Sequence, residues 1–121
     1  MNYASTFILT AAVYALIGML MGAFMHISQT YTIIPLHTHV SVLGWLSLAV
    51  VGLVYRHYEK LESDPLAPWH FWCAQIGILS MNGGLGLFYV TGIRIPLNIG
   101  VVLTPLSFLL FLWLFWRHRR E

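Results

Sequence analysis

The chain is 121 residues long, with 59% hydrophobic residues and only 8% charged residues. This composition and the mean hydropathy of +0.77 exclude an ordinary soluble domain, because too few polar side chains are present to cover a water-facing surface. The small net charge of +2 is consistent with a topology signal or with contact to anionic lipid, and it gives no reason to expect binding to DNA or RNA.

Apolar residues form four runs, and each run is long enough to cross a hydrocarbon core that requires about 20 helical residues. The runs cover residues 3–25, 35–55, 69–90 and 96–116. The sequence therefore predicts an all-α membrane protein, a single domain of four transmembrane helices surrounded by the lipid bilayer. The polar segment 56–68 is predicted to be one surface loop.

The first run is predicted to be a retained helix, because it lacks the basic leading segment of a secretory signal and exceeds its usual apolar length. Gly18 and Gly22 lie in a GxxxG spacing, which is typical of close helix packing in lipid. His26 ends this run and is placed at the same membrane level as the histidines that begin the second run. It is either a third ligand at that level or an interfacial residue that caps the helix.

The second run begins with two histidines two positions apart, His37 and His39, shortly after Pro35. Proline suits the first helical position, so both histidines are predicted to lie in the first turns of the helix. At 100° per residue their side chains point about 200° apart, which disfavours binding of one metal ion by both. A histidine inside a membrane is a functional candidate, and the alternative is an interfacial residue bonded to loop backbone and water.

Small residues follow these histidines in the second run, including Ser41 and Gly44. Small residues let two helices approach closely in lipid, and this packing role is one interpretation of both positions. The other interpretation is that they leave clearance for a bulky flat ligand lying against the helix.

The third and fourth runs carry few polar residues. Gln75 and Asn82 are predicted to form structural hydrogen bonds inside the bundle. The single cysteine, Cys73, excludes a disulfide within one subunit and is predicted to pack in the interior. His57, His70 and His118 are predicted to be interfacial. An aromatic belt at the same side of the membrane is predicted for Tyr55, Tyr58, Trp69, Trp72, Trp113 and Trp116.

Basic residues predict the orientation of the chain, since short cytoplasmic loops retain lysine and arginine. The segment between the second and third runs and the segment after the fourth run hold five of the six basic side chains, and Arg94 is the one on the other side. Both termini are therefore predicted to be cytoplasmic.

The stretch from Pro35 to Tyr55 resembles a histidine-bearing helix of subunit I of the haem-copper oxidase and nitric oxide reductase superfamily. The residues that carry the resemblance are His37, His39, Gly44, Trp45 and Gly52. It covers about a fifth of the chain, and the other three runs match subunit I only in length, order and hydrophobicity. The chain also resembles short bacterial membrane proteins that are similar to this subunit, which implies a bacterial inner membrane.

The resemblance implies an architecture, because subunit I contains three arcs of four helices around an approximate threefold axis, and this chain has the size of one arc. In one helix of that family, histidines two positions apart bind two different haems. By this resemblance the chain is expected to be a b-type cytochrome in which His37 of one protomer and His39 of the next hold a haem b. A homotrimer is favoured, a homodimer is the next alternative, and a monomer is possible. Arg94 is expected to contact the haem propionates or to be an exposed loop residue.

An iron that is held by two histidines has no open position for a gas ligand, so such a haem passes electrons. The expected function is a b-type membrane cytochrome for electron transfer or redox and gas sensing, with an unknown redox partner. The additional histidines and tyrosine that hold copper in the family have no recognisable equivalent here, and a terminal oxidase is not predicted. Two alternatives remain. One is a copper or other metal site of His26, His37 and His39 from several subunits. The other is a structural or assembly partner of a respiratory complex without a cofactor.

Overall fold

The protein consists of four long helices over the residues that its computed structural model describes, residues 2–120. They are α1 (Tyr3–Ser28), α2 (Ile34–His57), α3 (Ala67–Thr91) and α4 (Ile95–His118). Each is long and apolar enough to span a membrane, which confirms the prediction of a multi-pass, all-α protein. The helix bounds lie within three residues of the predicted apolar runs.

The four helices pack as two antiparallel pairs, α1 with α2 and α3 with α4. Glycines lie where the paired helices approach most closely. A Cβ atom at Gly44 of α2 would lie 2.5 Å from Cγ of Tyr14 of α1, and a Cβ at Gly100 of α4 would overlap the backbone of Met81 of α3. Such contacts between small residues and a facing helix are how helices associate in lipid.

Both ends of the described chain meet at one end of the bundle, which we call the basic end and which contains residues 56–66 and 117–120 with the adjoining turns of the helices. The carboxylate of Glu62 accepts hydrogen bonds from the backbone N–H groups of Tyr3 and Ala4, at 2.9 and 2.7 Å. These bonds satisfy free donors at the start of α1. The opposite end, formed by residues 29–33 and 92–94 with the adjoining turns of the helices, is called the histidine end.

The segment between α2 and α3 is more ordered than the predicted surface loop. It contains a short 3-10 helix, Glu59–Ser63, and Leu61 within it is fully buried. Asp64 is buried as well and contacts the end of α4 through His118 and Arg117. The prediction of one surface loop is therefore wrong for these inward-facing residues.

The core of the bundle lies near the basic end and includes a cluster of aromatic rings among aliphatic side chains. Tyr55 and His70 are each 1% exposed, and the hydroxyl of Tyr55 lies 2.7 Å from Nδ1 of His70. The predictions that His70 is interfacial and that Tyr55 belongs to an aromatic belt are wrong, because each provides the hydrogen-bond partner that lets the other be buried. Trp69, Trp72, Trp113 and Trp116 are more than half exposed, as a belt requires.

Two polar side chains of α3 have partners on neighbouring helices. The amide nitrogen of Gln75 donates to the hydroxyl of Thr10 of α1 at 3.0 Å, as the sequence predicts. The thiol of Cys73, which is half-buried, donates to the backbone carbonyl of Leu103 of α4 at 3.3 Å.

Candidate functional site at the histidine end

The helix that carries the two candidate histidines is irregular. Its first part, Ile34–His39, is α-helical, the middle part, Val40–Ser47, is π-helical, and the last part, Leu48–His57, is α-helical again. A π-helix closes its hydrogen bonds over five residues and is uncommon, and such segments often lie at functional sites. The sequence contains no signal that predicted this segment. Pro35 lies in the first turn, as expected.

His39 has one ring nitrogen engaged by its own helix. Its Nδ1 lies 2.8 Å from the backbone carbonyl oxygen of Pro35. A carbonyl oxygen only accepts hydrogen bonds, so Nδ1 carries the proton and Nε2 of the neutral ring keeps its lone pair. A histidine that donates one N–H to a carbonyl and binds a metal through the other nitrogen is the usual arrangement in metal sites. His39 therefore has the hydrogen bonding of a metal ligand.

His37 lies between its own helix and α1. A Cβ atom at Gly22 would lie 3.5 Å from Cε1 of the His37 ring, so the small residue at position 22 makes room for this side chain. The Nδ1 atom of His37 is buried and has no hydrogen-bond partner among residues 2–120. Leaving such an atom unpaired costs about 1–3 kcal/mol, which indicates that a partner is missing.

Ser41 and Gly44 face α1 in the single chain. The hydroxyl oxygen of Ser41 lies 2.9 Å from the position of a Cβ at Gly18, and Gly44 lies against the ring of Tyr14. These contacts are the helix packing that is one of the two interpretations of the small residues. The space beside both residues is occupied by α1, so we do not include them in the proposed ligand site.

His26 and Arg94 are both exposed at the histidine end. The guanidinium carbon of Arg94 lies 4.9 Å from the centre of the Phe88 ring. The backbone carbonyl of His26 accepts a hydrogen bond of 2.6 Å from the side chain of Gln29, which ends α1.

Asn82 is the residue at which the sequence prediction differs most from the structure. It was expected to form structural hydrogen bonds, but it is 5% exposed and both polar atoms of its amide are buried without a partner in the described chain. Thr104 is also buried with an unpaired hydroxyl. The sequence signal for Asn82 was its polarity in the middle of an apolar run.

The fold and these side chains define a four-helix membrane protein with an irregular, histidine-bearing helix. No protein-family model matches the chain, and no solved structure matches it. Any function must therefore be argued from the residues themselves.

Proposed function

We propose that the chain is a subunit of a small b-type membrane cytochrome that transfers electrons or senses redox state or gases. In this proposal haem b lies at a face between subunits, bound by His37 of one subunit and His39 of the next. The observation that carries the proposal is the hydrogen bond from Nδ1 of His39 to the carbonyl of Pro35, because it leaves Nε2 available for iron.

The arrangement of donors favours haem over a small metal ion. The porphyrin supplies four ligands to its iron, so the protein needs to supply only one or two. A copper or zinc site usually requires three or four protein ligands, and residues 2–120 of one chain bring no such group together. The unpaired Nδ1 atom of His37 also supports a role for this ring beyond packing.

Further features support a position between subunits. On α2 the side chains of Val42, Trp45 and Leu46 are all more than 40% exposed, so an apolar surface lies next to the histidines. Histidines with different surroundings on one helix suit a head-to-tail interface, which closes into a ring such as a trimer. Among residues 2–120, Arg94 is the only lysine or arginine at the histidine end, and its exposed guanidinium can pair with haem propionates.

The proposal includes a bacterial inner membrane with the basic end in the cytoplasm. Five of the six lysine and arginine residues lie at that end, as expected for cytoplasmic segments. When bound, the haem would supply a one-electron redox centre. The protein would hold the iron, orient the ring through His37 and His39, and keep water from the site with its apolar helices.

The test is haem content. The protein is produced with an ample haem supply, purified, and examined by a reduced-minus-oxidised spectrum and pyridine haemochrome quantitation. We expect a b-type spectrum in the wild-type protein and at least a tenfold loss of haem in both His37→Ala and His39→Ala. The matched control is His57→Ala, an exposed histidine at the basic end, which should keep the wild-type haem content.

Other outcomes identify the alternatives. A colourless wild-type protein that binds copper points to a metal site assembled from several subunits, with His26→Ala as the next variant. A colourless protein that binds neither and co-purifies with larger subunits points to a structural role. Loss of haem in only one variant contradicts shared ligation by His37 and His39.

A further inference from the structure

Three of the four unpaired, buried side-chain polar atoms in residues 2–120 belong to two residues, His37 and Asn82. These atoms are Nδ1 of His37 and both polar atoms of the Asn82 amide. An amide offers donors and an acceptor, and a neutral imidazole offers one of each. The two residues are therefore complementary in hydrogen bonding, and each lacks a partner in the described chain.

Asn82 lies on the face of α3 that is directed towards α1. At 100° per residue, positions 71, 75 and 82 fall within about 40° of one another on a helix. Phe71 packs against Phe7 of α1 with ring centres 5.1 Å apart, and Gln75 bonds Thr10 of α1. The Asn82 side chain continues this face towards the histidine end, where His37 contacts Gly22 of α1.

The level of Asn82 in the bundle is close to that of His37. A Cβ atom at Gly86 would lie 3.6 Å from a methyl carbon of Leu36, which fixes the register of α3 against α2. Asn82 is four residues, about 6 Å, from Gly86 towards the basic end, and His37 is one residue, about 1.5 Å, from Leu36 in the same direction. The two residues thus differ in level by about 4–5 Å along the bundle axis, a difference that one bridging water can span.

We infer that the Asn82 amide is the hydrogen-bond partner of His37 Nδ1 through one buried water, and that it is a positioning residue for this histidine. Nδ1–H donates to the water, the water donates to the amide oxygen, and the lone pair of the neutral ring stays on Nε2. His37 then matches His39, whose Nδ1 donates to Pro35. The effect on iron rests on the proposed function, whereas the hydrogen bond does not.

The first test uses the haem-free protein in lipid, labelled with ¹⁵N-histidine. The His37 signals are assigned from the His37→Ala spectrum. In wild type we expect His37 in the tautomer with its proton on Nδ1. In Asn82→Leu, which keeps the volume and removes the amide, we expect a mixture of tautomers and a clear change in the ¹⁵N shifts of His37. Asn82→Ser, which keeps a hydroxyl and space for water, should give shifts between those of wild type and Asn82→Leu.

Control signals separate this effect from a change in fold. His70 lies on the same helix as Asn82 and is held by Tyr55, so its signals should remain unchanged. Gln75→Leu removes an amide of the same helix that has its own partner, Thr10, and should leave His37 unchanged. The inference is overturned if His37 has the same signals in Asn82→Leu as in wild type, or if Gln75→Leu changes them equally.

The second test applies to the haem-loaded protein. Asn82→Leu should retain haem but shift its midpoint potential, because the basicity of the His37 ligand changes with its hydrogen bond. If Asn82→Leu abolishes the tautomer preference of His37 but the wild-type protein binds no haem, the inference is supported and the proposed function is contradicted. If Asn82→Leu leaves the tautomer of His37 unchanged in a protein that does bind haem, the inference is contradicted and the proposed function is supported.

Discussion

The two ends of the bundle differ in how completely their groups are satisfied. At the basic end the buried polar groups are paired, Tyr55 with His70 and Asp64 with His118, and aromatic rings fill the space between the helices. The ring of His37 at the histidine end and the amide of Asn82, deeper in the bundle, have unpaired atoms in the described chain. Large apolar residues at the histidine end are widely exposed, with Val90 at 84% and Ile27 at 83%.

This difference indicates where the fold is stabilised and where it has capacity for function. Packing and hydrogen bonds at the basic end hold all four helices together, so the histidine end does not have to contribute as much to stability. Regions with few buried contacts and unpaired polar groups are those that bind ligands or partners. The histidine end has these properties, and the irregular π-helical segment begins directly after His39.

The largest expected effect comes from matched substitutions of two phenylalanines on α1. Phe7 is fully buried in the aromatic core, whereas Phe24, near the histidine end, is 57% exposed. Phe7→Ala should lower the free energy of unfolding by about 3–5 kcal/mol, because it leaves a cavity. Phe24→Ala should change it by less than about 0.5 kcal/mol. The measurement is denaturant-induced unfolding in mixed micelles.

The result for Phe24 also tests the comparison of the two ends. If Phe24→Ala lowers the free energy of unfolding as much as Phe7→Ala does, the histidine end is covered by a stable contact with another subunit. The comparison of the two ends would then apply to the isolated chain only.

A smaller effect is expected from adding one methyl group at two glycines. A Cβ at Gly44 would lie 2.5–2.8 Å from three carbon atoms of Tyr14, whereas nothing lies within 4 Å of a Cβ at Gly83. Gly44→Ala should therefore cost about 1–3 kcal/mol through overpacking. Gly83→Ala should be neutral or stabilise by up to about 1 kcal/mol, because alanine favours a helix.

The double variant Gly44→Ala with Tyr14→Gly is the control for the overpacking argument. Removing the whole Tyr14 side chain removes all three close contacts, including the one with its Cβ at 2.7 Å, so the alanine at position 44 should cost much less in this background. If Gly44→Ala lowers the free energy of unfolding equally with and without the Tyr14 side chain, its effect comes from the π-helical backbone and not from overpacking.

The sequence predicted the membrane fold well because its signals are local. Long apolar runs predict spans from length alone, and the four helices lie close to the predicted runs. The GxxxG pair Gly18 and Gly22 predicted a packing face, and this face contacts Ser41 and His37 of α2.

The predictions that failed depended on the neighbouring helix. His70 and Tyr55 lie near span ends, where aromatic and histidine residues are usually interfacial, and only their mutual hydrogen bond explains their burial. Asn82 was expected to be paired because intramembrane amides usually are, and the sequence contains no information on whether a facing group is present. The candidate histidines were found from the sequence, but the carbonyl that orients His39 depends on the helix geometry.

The smallest expected effect concerns the ionic contact at the basic end. The buried Asp64 carboxylate accepts hydrogen bonds from the Leu66 N–H and from His118, both at 2.8 Å, and lies 3.6 Å from the Arg117 guanidinium. Burial alone would raise the pKa of Asp64, but these hydrogen bonds and the positive charge of Arg117 outweigh it, so the pKa lies below its ordinary value. Asp64→Asn should lower the stability by about 1 kcal/mol at pH 6, measured by unfolding in mixed micelles.

The stability difference between wild type and Asp64→Asn should depend on pH, because the pKa of Asp64 is lowered in the folded state. A carboxyl whose pKa is lower in the folded state stabilises fully above its unfolded pKa of about 3.9, and this contribution is lost as the pH falls through the folded value. The difference between wild type and Asp64→Asn should therefore be constant from about pH 6 to 5 and shrink below about pH 4. Glu59→Gln, which removes an exposed carboxylate of the same segment, should show no such change. A difference that persists undiminished at pH 3 would mean that the basic end is held by the shape of this turn, with packing around Leu61, and not by the charge of Asp64.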